Sequence, residues 1–234
     1  MSDVSALRLW WSRIKKFLFY FFIFQLAYIV LLKWVDPPLT MTQLSAWVSS
    51  DGLRRDYVSG DRISPNAKLA VLASEDQLFT THQGFDWKRI KEAYKYNKTK
   101  PHRLRGGSTI SQQTAKNVFL WQGRSWIRKL LEVYFTFMIE LIWGKERILE
   151  VYLNVIEMGP GIYGIEAAAQ HYFNKPAAQL SRYEAALIAA SLPNPKKYRV
   201  QPPSSYMQKR ASFITGQMRN LQADPAIKKL LESR

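Results

Sequence analysis

The stretch Ser125–Trp143, SWIRKLLEVYFTFMIELIW, decides the fold class. Wound at 3.6 residues per turn, it places Ile127, Leu130, Leu131, Tyr134, Phe135, Met138 and Leu141 on one face, and Ser125, Arg128, Glu132 and Thr136 on another. It does not alternate with the period of two that a strand requires, and it is too charged to cross a membrane. It reads as an amphipathic helix of a globular domain.

The same periodicity extends in both directions. Lys145–Glu157 is a further amphipathic helix, closed by the turn Gly159-Pro160-Gly161, and Ile165–Phe173 restarts helically. Ser181-Arg182-Tyr183-Glu184 is a capping box that opens an Ala-rich helix stopping at Pro193, and Met207–Leu221 forms a last amphipathic helix. Upstream, Asp86 is an N-cap for a helix to about Tyr96, and the basic, glycine-rich loop His102–Gly107 precedes a helix at Ile110–Phe119. No internal repeat is visible, so the expected architecture is mainly α.

The N-terminal end differs in kind. Phe17–Leu32 carries no charge, and with Lys33 snorkelling and Trp34-Val35 added it reaches membrane-spanning length. No small-x-small cleavage site precedes Asp36-Pro37-Pro38, so an uncleaved anchor is expected rather than a signal peptide. Arg8, Arg13, Lys15 and Lys16 precede the apolar run and Lys33 is nearly alone after it, which by the positive-inside rule leaves the N-terminus cytoplasmic. The expected divisions are a tail at 1–16, a transmembrane helix at 17–35, a connector at 36–66, the main domain at 67–205 and a C-terminal helical segment at 206–234.

With 34 Lys and Arg against 18 Asp and Glu in 234 residues, the net charge is +16. That balance points to nucleic acid, an anionic membrane surface or a phosphorylated substrate. The chain has no cysteine, which excludes disulfides and thiolate chemistry, and its three histidines are far apart and lack metal-ligand spacing.

Three polar clusters interrupt the folding pattern. The first is the block Glu75–Asp86, EDQLFTTHQGFD, whose two leading carboxylates directly follow the apolar run Leu69–Ala73; its bland interpretation is a capping box from Ser74 to Gln77 with acids in a helix's first turn. Gly106-Gly107-Ser108-Thr109 feeds Gln112, Gln113, Lys116 and Asn117 into a helix, an arrangement that can offer backbone N–H groups and a cation to phosphate oxygens, although neither the P-loop nor the GxGxxG pattern is present. In the third, Arg124, Arg128 and Lys129 precede Glu132, and Arg128 and Glu132 share a helical face. An ordinary surface ion pair is the alternative there, weakened by the base preceding the acid.

Taken in order, these clusters together with Lys145–Asn154 and the Ala-rich Glu184–Pro195 segment resemble the family 51 glycosyltransferases, and specifically the monofunctional biosynthetic peptidoglycan transglycosylases. The resemblance spans roughly Lys68 to Pro195. It implies a mainly α, lysozyme-like helical glycosyltransferase domain behind the N-terminal transmembrane helix. It also implies processive polymerisation of lipid II into β-1,4-linked glycan with inversion and release of undecaprenyl pyrophosphate. The implied partners are lipid II, the growing lipid-linked strand, the bacterial inner membrane and other cell-wall synthesis proteins, with the catalytic domain periplasmic and no nucleic acid involved. The transpeptidase motifs of bifunctional relatives are absent apart from a chance SxxK match at Ser12-Arg13-Ile14-Lys15.

The resemblance places Glu75 as the base acting on the acceptor 4-hydroxyl and Glu132 as the second catalytic carboxylate, orienting cations or assisting departure of the leaving group. Substrate contacts are expected from Asp76, Gly107, Ser108, Thr109, Gln112, Gln113, Lys116, Asn117, Arg124, Arg128 and Lys129. Adjacent carboxylates raise one another's pKa, which would suit a base near neutral pH. A divalent cation, Mg or Mn, is the one cofactor left open, since metals share pyrophosphate charge elsewhere. Two competing functions are a lysozyme-like glycan-cleaving enzyme, which has no need of the cations, and a membrane-tethered basic protein that binds nucleic acid.

Overall fold

A computed structural model describes residues 2–48, 52–100, 105–123 and 125–232, which fall into two compact units, Met1–Asp36 and Pro37–Arg234. The first unit is the helix α1 (Ser2–Leu31). Within it Trp10–Leu31 is long and apolar enough to cross a membrane, at 22 residues or about 33 Å of rise. The α-helix ends at Leu31 rather than at Val35. Tighter i→i+3 bonds from Lys33 to Val30 and from Trp34 to Leu31 carry the chain to the Asp36-Pro37-Pro38 stop.

The second unit is mainly helical. Its centre is α3 (Pro65–Glu75), whose residues Ala67–Ala73 are all buried, packed against α9 (Arg182–Ser191) and α10 (Ser205–Leu221). Small alanines on α3 and α9 let the two helices approach closely, and α10 adds Met207, Ala211, Ile214 and Met218 to the same core. The compact unit therefore runs unbroken through 66/67 and 205/206, where the sequence suggested divisions. A second layer is built by α5 (Ile110–Phe119), which packs on α6 (Trp126–Ile142) and α7 (Lys145–Val155). α2 (Met41–Val48) lies against α5, and α4 (Trp87–Thr99) runs three residues beyond Tyr96. α8 (Ile165–Phe173) and α11 (Pro225–Glu232) complete the helices.

The sequence offered no sheet, but a small one is present. β1 (Arg54–Arg55) pairs in parallel with β3 (Ile162–Tyr163), and β2 (Glu157–Gly159) pairs antiparallel with β3 through the Gly159-Pro160-Gly161 turn. Glu157 is thus the first strand residue rather than the last helical one. Asn154 at the end of α7 holds the incoming connector, its side chain bonding both the N–H (3.0 Å) and the carbonyl (2.9 Å) of Val58.

α6 has the expected helical limits but an unexpected orientation. Glu132, Thr136 and Ile139 are its buried residues, so the polar face turns inward. Trp126, Ile127, Leu130, Val133, Phe137 and Leu141 are exposed. Part of the other apolar face is used sideways, where Phe135 stacks on Phe119 of α5 at 4.6 Å between ring centres.

Candidate active site

Glu75 is the last residue of α3, not the opening of a helix. Ser74 donates back to the Val71 carbonyl and Gln77 to that of Ala73, so the capping-box interpretation of this segment is wrong. The carboxylate sits at the negative end of the helix dipole, where an acid is disfavoured. It is held there by Gln113 of α5, whose amide donates to Glu75 Oε2 at 3.0 Å while the Tyr152 hydroxyl of α7 donates to Gln113 Oε1 at 3.3 Å. Arg89 of α4 donates to the main-chain carbonyl of Glu75.

Asp76, one residue on, has a structural environment. It is 1 % exposed; its Oδ2 accepts the Ile110 N–H at 2.9 Å, and both its oxygens lie within 3.1 Å of His82 Nε2. It thereby ties the end of α3 to the start of α5 and sets Gln113 opposite Glu75. Thr109 and Gln112 form the capping box of α5, and the Thr109 hydroxyl also donates to the Gly84 carbonyl at 2.6 Å. Gly84 has φ +85, and a Cβ there would lie 2.8 Å from Thr136 Cγ2, so this corner accepts only glycine. Gly107 is needed for closeness instead: a Cβ would meet Ala93 Cβ at 3.1 Å and Ile90 Cα at 3.2 Å on α4.

A cavity of about 280 Å³ brings together Glu75, Ser108, Gln112, Gln113, Lys116 and Glu132. Through Glu75 and Arg89 it adjoins a recess of about 510 Å³ beneath α4, and through Gln113 and Lys116 one of about 500 Å³ reaching α2 and Asn117. Leu192-Pro193, at the end of α9, walls both the central cavity and the latter recess. Asn117 is itself buried and back-bonded to the Gln113 carbonyl at 2.8 Å.

The charges divide across this cleft. Glu132 is 3 % exposed and accepts from Arg128 at 3.0 Å and from Lys129 at 2.5 Å, one cation on each oxygen. Arg128 and Glu132 thus form a largely buried pair, not a loose surface one, while Lys129 reaches the same acid from a half-exposed position. The Lys116 ammonium has no hydrogen bond or ion pair among the described residues. Its ammonium pKa is lowered by burial; Glu132 opposes the lowering, and Arg128 and Lys129 add to it. Arg124 lies outside the described residues.

Burial also pushes the Glu75 carboxyl up from its ordinary value, against the Gln113 hydrogen bond and the charges of Arg89 and Arg210. Asp76 adds only the smallest contribution in the same direction, so the lever is burial rather than the adjacent carboxylate. No group of three or more His, Asp or Glu among the described residues could hold a metal ion. Sequence reasoning missed Arg89, Tyr152, His82 and Arg210. Of these, His82, inside the Glu75–Asp86 block, and Tyr152, inside the Lys145–Asn154 motif, lay in segments already singled out.

The arrangement can take a proton at Glu75 and receive negative charge at Lys116 across one cavity. The sequence profile of the transglycosylase family matches residues 41–219, which include every described residue of this cleft. A biosynthetic peptidoglycan transglycosylase of Shewanella oneidensis is 47 % identical over the whole of both chains. Proteins of the same name from Aeromonas hydrophila and Escherichia coli are 51 % identical over 82 % of this chain and 83 % of theirs, and 53 % identical over 78 % and 77 %, respectively. The chain belongs to the transglycosylase family.

Proposed function

We propose that this protein is a peptidoglycan glycosyltransferase that polymerises lipid II, with the growing lipid-linked strand as glycosyl donor. The observation that carries this reading is the opposition of Glu75, a recessed carboxylate, to Lys116 across one cavity, the first singly bonded and the second unpaired among the described residues. A glycan hydrolase needs a carboxylic acid but no such cation, because its leaving group carries no phosphate.

The chemistry follows from the placement. Glu75 removes the proton from the acceptor 4-hydroxyl as that oxygen bonds to the donor's anomeric carbon. The bond from that carbon to the undecaprenyl pyrophosphate breaks on the opposite side, so the configuration inverts and the β-1,4 link forms. The electron pair passes to the phosphate oxygen, where Lys116 and the Arg128–Lys129 pair receive the charge. Glu132, with a cation on each oxygen, acts as the anchor of that pair rather than as a proton donor. Ligation of Mg or Mn by Glu75 or Glu132 would compete with these existing bonds.

The substrate class fits a membrane setting. Trp10–Leu31 has the length for a single-pass anchor, and the basic residues before its uncharged run at Phe17 favour a cytoplasmic N-terminus and a periplasmic domain. The outward apolar face of α6, with Trp126, Leu130, Phe137 and Leu141 exposed, suits contact with the bilayer surface from which a lipid-linked sugar is drawn. The test is incubation of purified full-length protein with lipid II and gel analysis of the products. Glycan strands are expected from the wild type and none from Glu75→Gln. Cleavage of preformed glycan without synthesis would instead favour the hydrolase.

A further inference from the structure

We propose that Arg89 is a positioning residue of this active site, its guanidinium fixing the end of α3 through the Glu75 main-chain carbonyl and placing a permanent positive charge beside the base. The inference rests on Glu75 serving as that base.

The last carbonyls of a helix have no partner within it and carry its partial negative charge. At the end of α3 this coincides with a buried acid, so the site needs a donor and a cation together, and an arginine supplies both. The sequence aims it there. Asp86 caps α4 by accepting the Arg89 N–H at 2.8 Å, which fixes the Arg89 backbone in the first turn, and the close approach of Gly107 to α4 leaves no slack behind it.

Two observations separate this arginine from an ordinary surface cation. It makes no ion pair among the described residues, although Asp86 and Glu92 stand on the same recess, so its charge is not consumed by a neighbouring acid. It also lines both the recess beneath α4 and the central cavity, so it forms the wall between them beside Glu75.

The other groups facing Glu75 come from every packed element: Asp76 beside it, Gln113 and Lys116 of α5, Glu132 of α6, Tyr152 of α7 and Arg210 of α10. None but Arg89 holds the Glu75 backbone. Burial raises the carboxyl, and Arg89 is among the groups that oppose it. Removing the charge disfavours the ionised base, so the enzyme should lose it at higher pH.

The experiment measures initial rates on lipid II across pH for full-length wild type, Arg89→Ala, Arg89→Gln and Arg89→Lys, with Glu75→Gln alongside and thermal unfolding as a check on folding. Arg89→Gln keeps a donor but no charge, and Arg89→Lys keeps the charge. The acid limb is expected to move to higher pH in the Ala and Gln variants, making their loss on the order of tenfold greater at the acid end than at the alkaline end. Arg89→Lys should move it back. If Ala does not fold, the Gln and Lys pair carries the comparison. An unmoved limb with Glu75→Gln inactive overturns the role of Arg89 alone. Turnover by Glu75→Gln would remove the base itself, and this inference with it.

Discussion

Glu75 stands where a helix least favours an acid, at its C-terminal end and recessed from water, and that misplacement is what marks it chemically. Folding alone gives no reason for a carboxylate there, so its replacement should separate activity from stability. Because burial raises its pKa in the folded state, Glu75 contributes stability that is complete below its unfolded value and lost as pH rises through the folded one. Glutamine has no such dependence. Glu75→Gln is therefore expected to lower turnover by about 10²–10⁴-fold while melting at the same or a higher temperature at neutral pH, the difference shrinking toward acid. A lower melting temperature at neutral pH would mean that the carboxylate is structural. For Lys116, an unpaired charge beside Glu132, Lys116→Ala should cost about 3 kcal/mol in the transition state, whereas the exposed Lys228→Ala should cost almost nothing. If Lys116 only attracted anionic lipid, high salt would mimic its loss in the wild type. The sequence showed both residues as polar departures from an apolar pattern. It could not show that Asp76 is spent on Ile110 and His82, because those partners lie 34 and 6 residues away and meet only in the fold.

At the scale of the element, α6 shows how far periodicity reaches. Its two faces are legible in the residues, and so are its caps, Ser125 at one end and Trp143 at the other. Which face points inward is not, because the usual rule assumes water outside. Here Arg128, Glu132 and Thr136 turn toward α5 and the cleft, and the apolar side is left exposed. The sheet escaped notice for a different reason: strands of two and three residues are too short to show a period. The inversion of α6 carries its own expectation. Leu130→Ser and Phe137→Ser should shift stability by no more than about 0.5 kcal/mol, as exposed substitutions do. They should weaken binding of the second unit to lipid vesicles, by up to about 1.5–3 kcal/mol for each side chain fully withdrawn from water. Vesicle flotation of full-length protein would be dominated by α1, so the comparison uses residues 37–234, the compact unit, with thermal unfolding to establish that it is folded. Unchanged flotation with a lowered melting temperature would show that this face packs against protein instead.

Across the whole molecule, the long apolar helix was visible as composition, because an uncharged run from Phe17 to Leu32 needs no tertiary information to be recognised. The extent of the second unit was not. Met207, Ala211, Ile214 and Met218 announce a buried stripe on α10, but nothing local says that its partners are α3, which carries Glu75, and α9. α10 is thus part of the scaffold behind Glu75, and Arg210 on it adds a charge that reaches that carboxylate. On the proposed function, α1 as a single-span helix would confine the enzyme to the plane that holds its lipid-linked substrate and raise their effective concentration without adding a catalytic contact. Deletion of residues 1–33 is therefore expected to leave polymerisation of detergent-solubilised lipid II within a few-fold of the full chain. Use of lipid II embedded in bilayers should fall much further, and more steeply as salt screens the still basic truncated chain from anionic lipid. Rates for both proteins on both substrates form a four-way comparison. Equal losses in detergent and bilayer would place part of the active site's support in α1, and equal activity on bilayers would reduce the helix to an address.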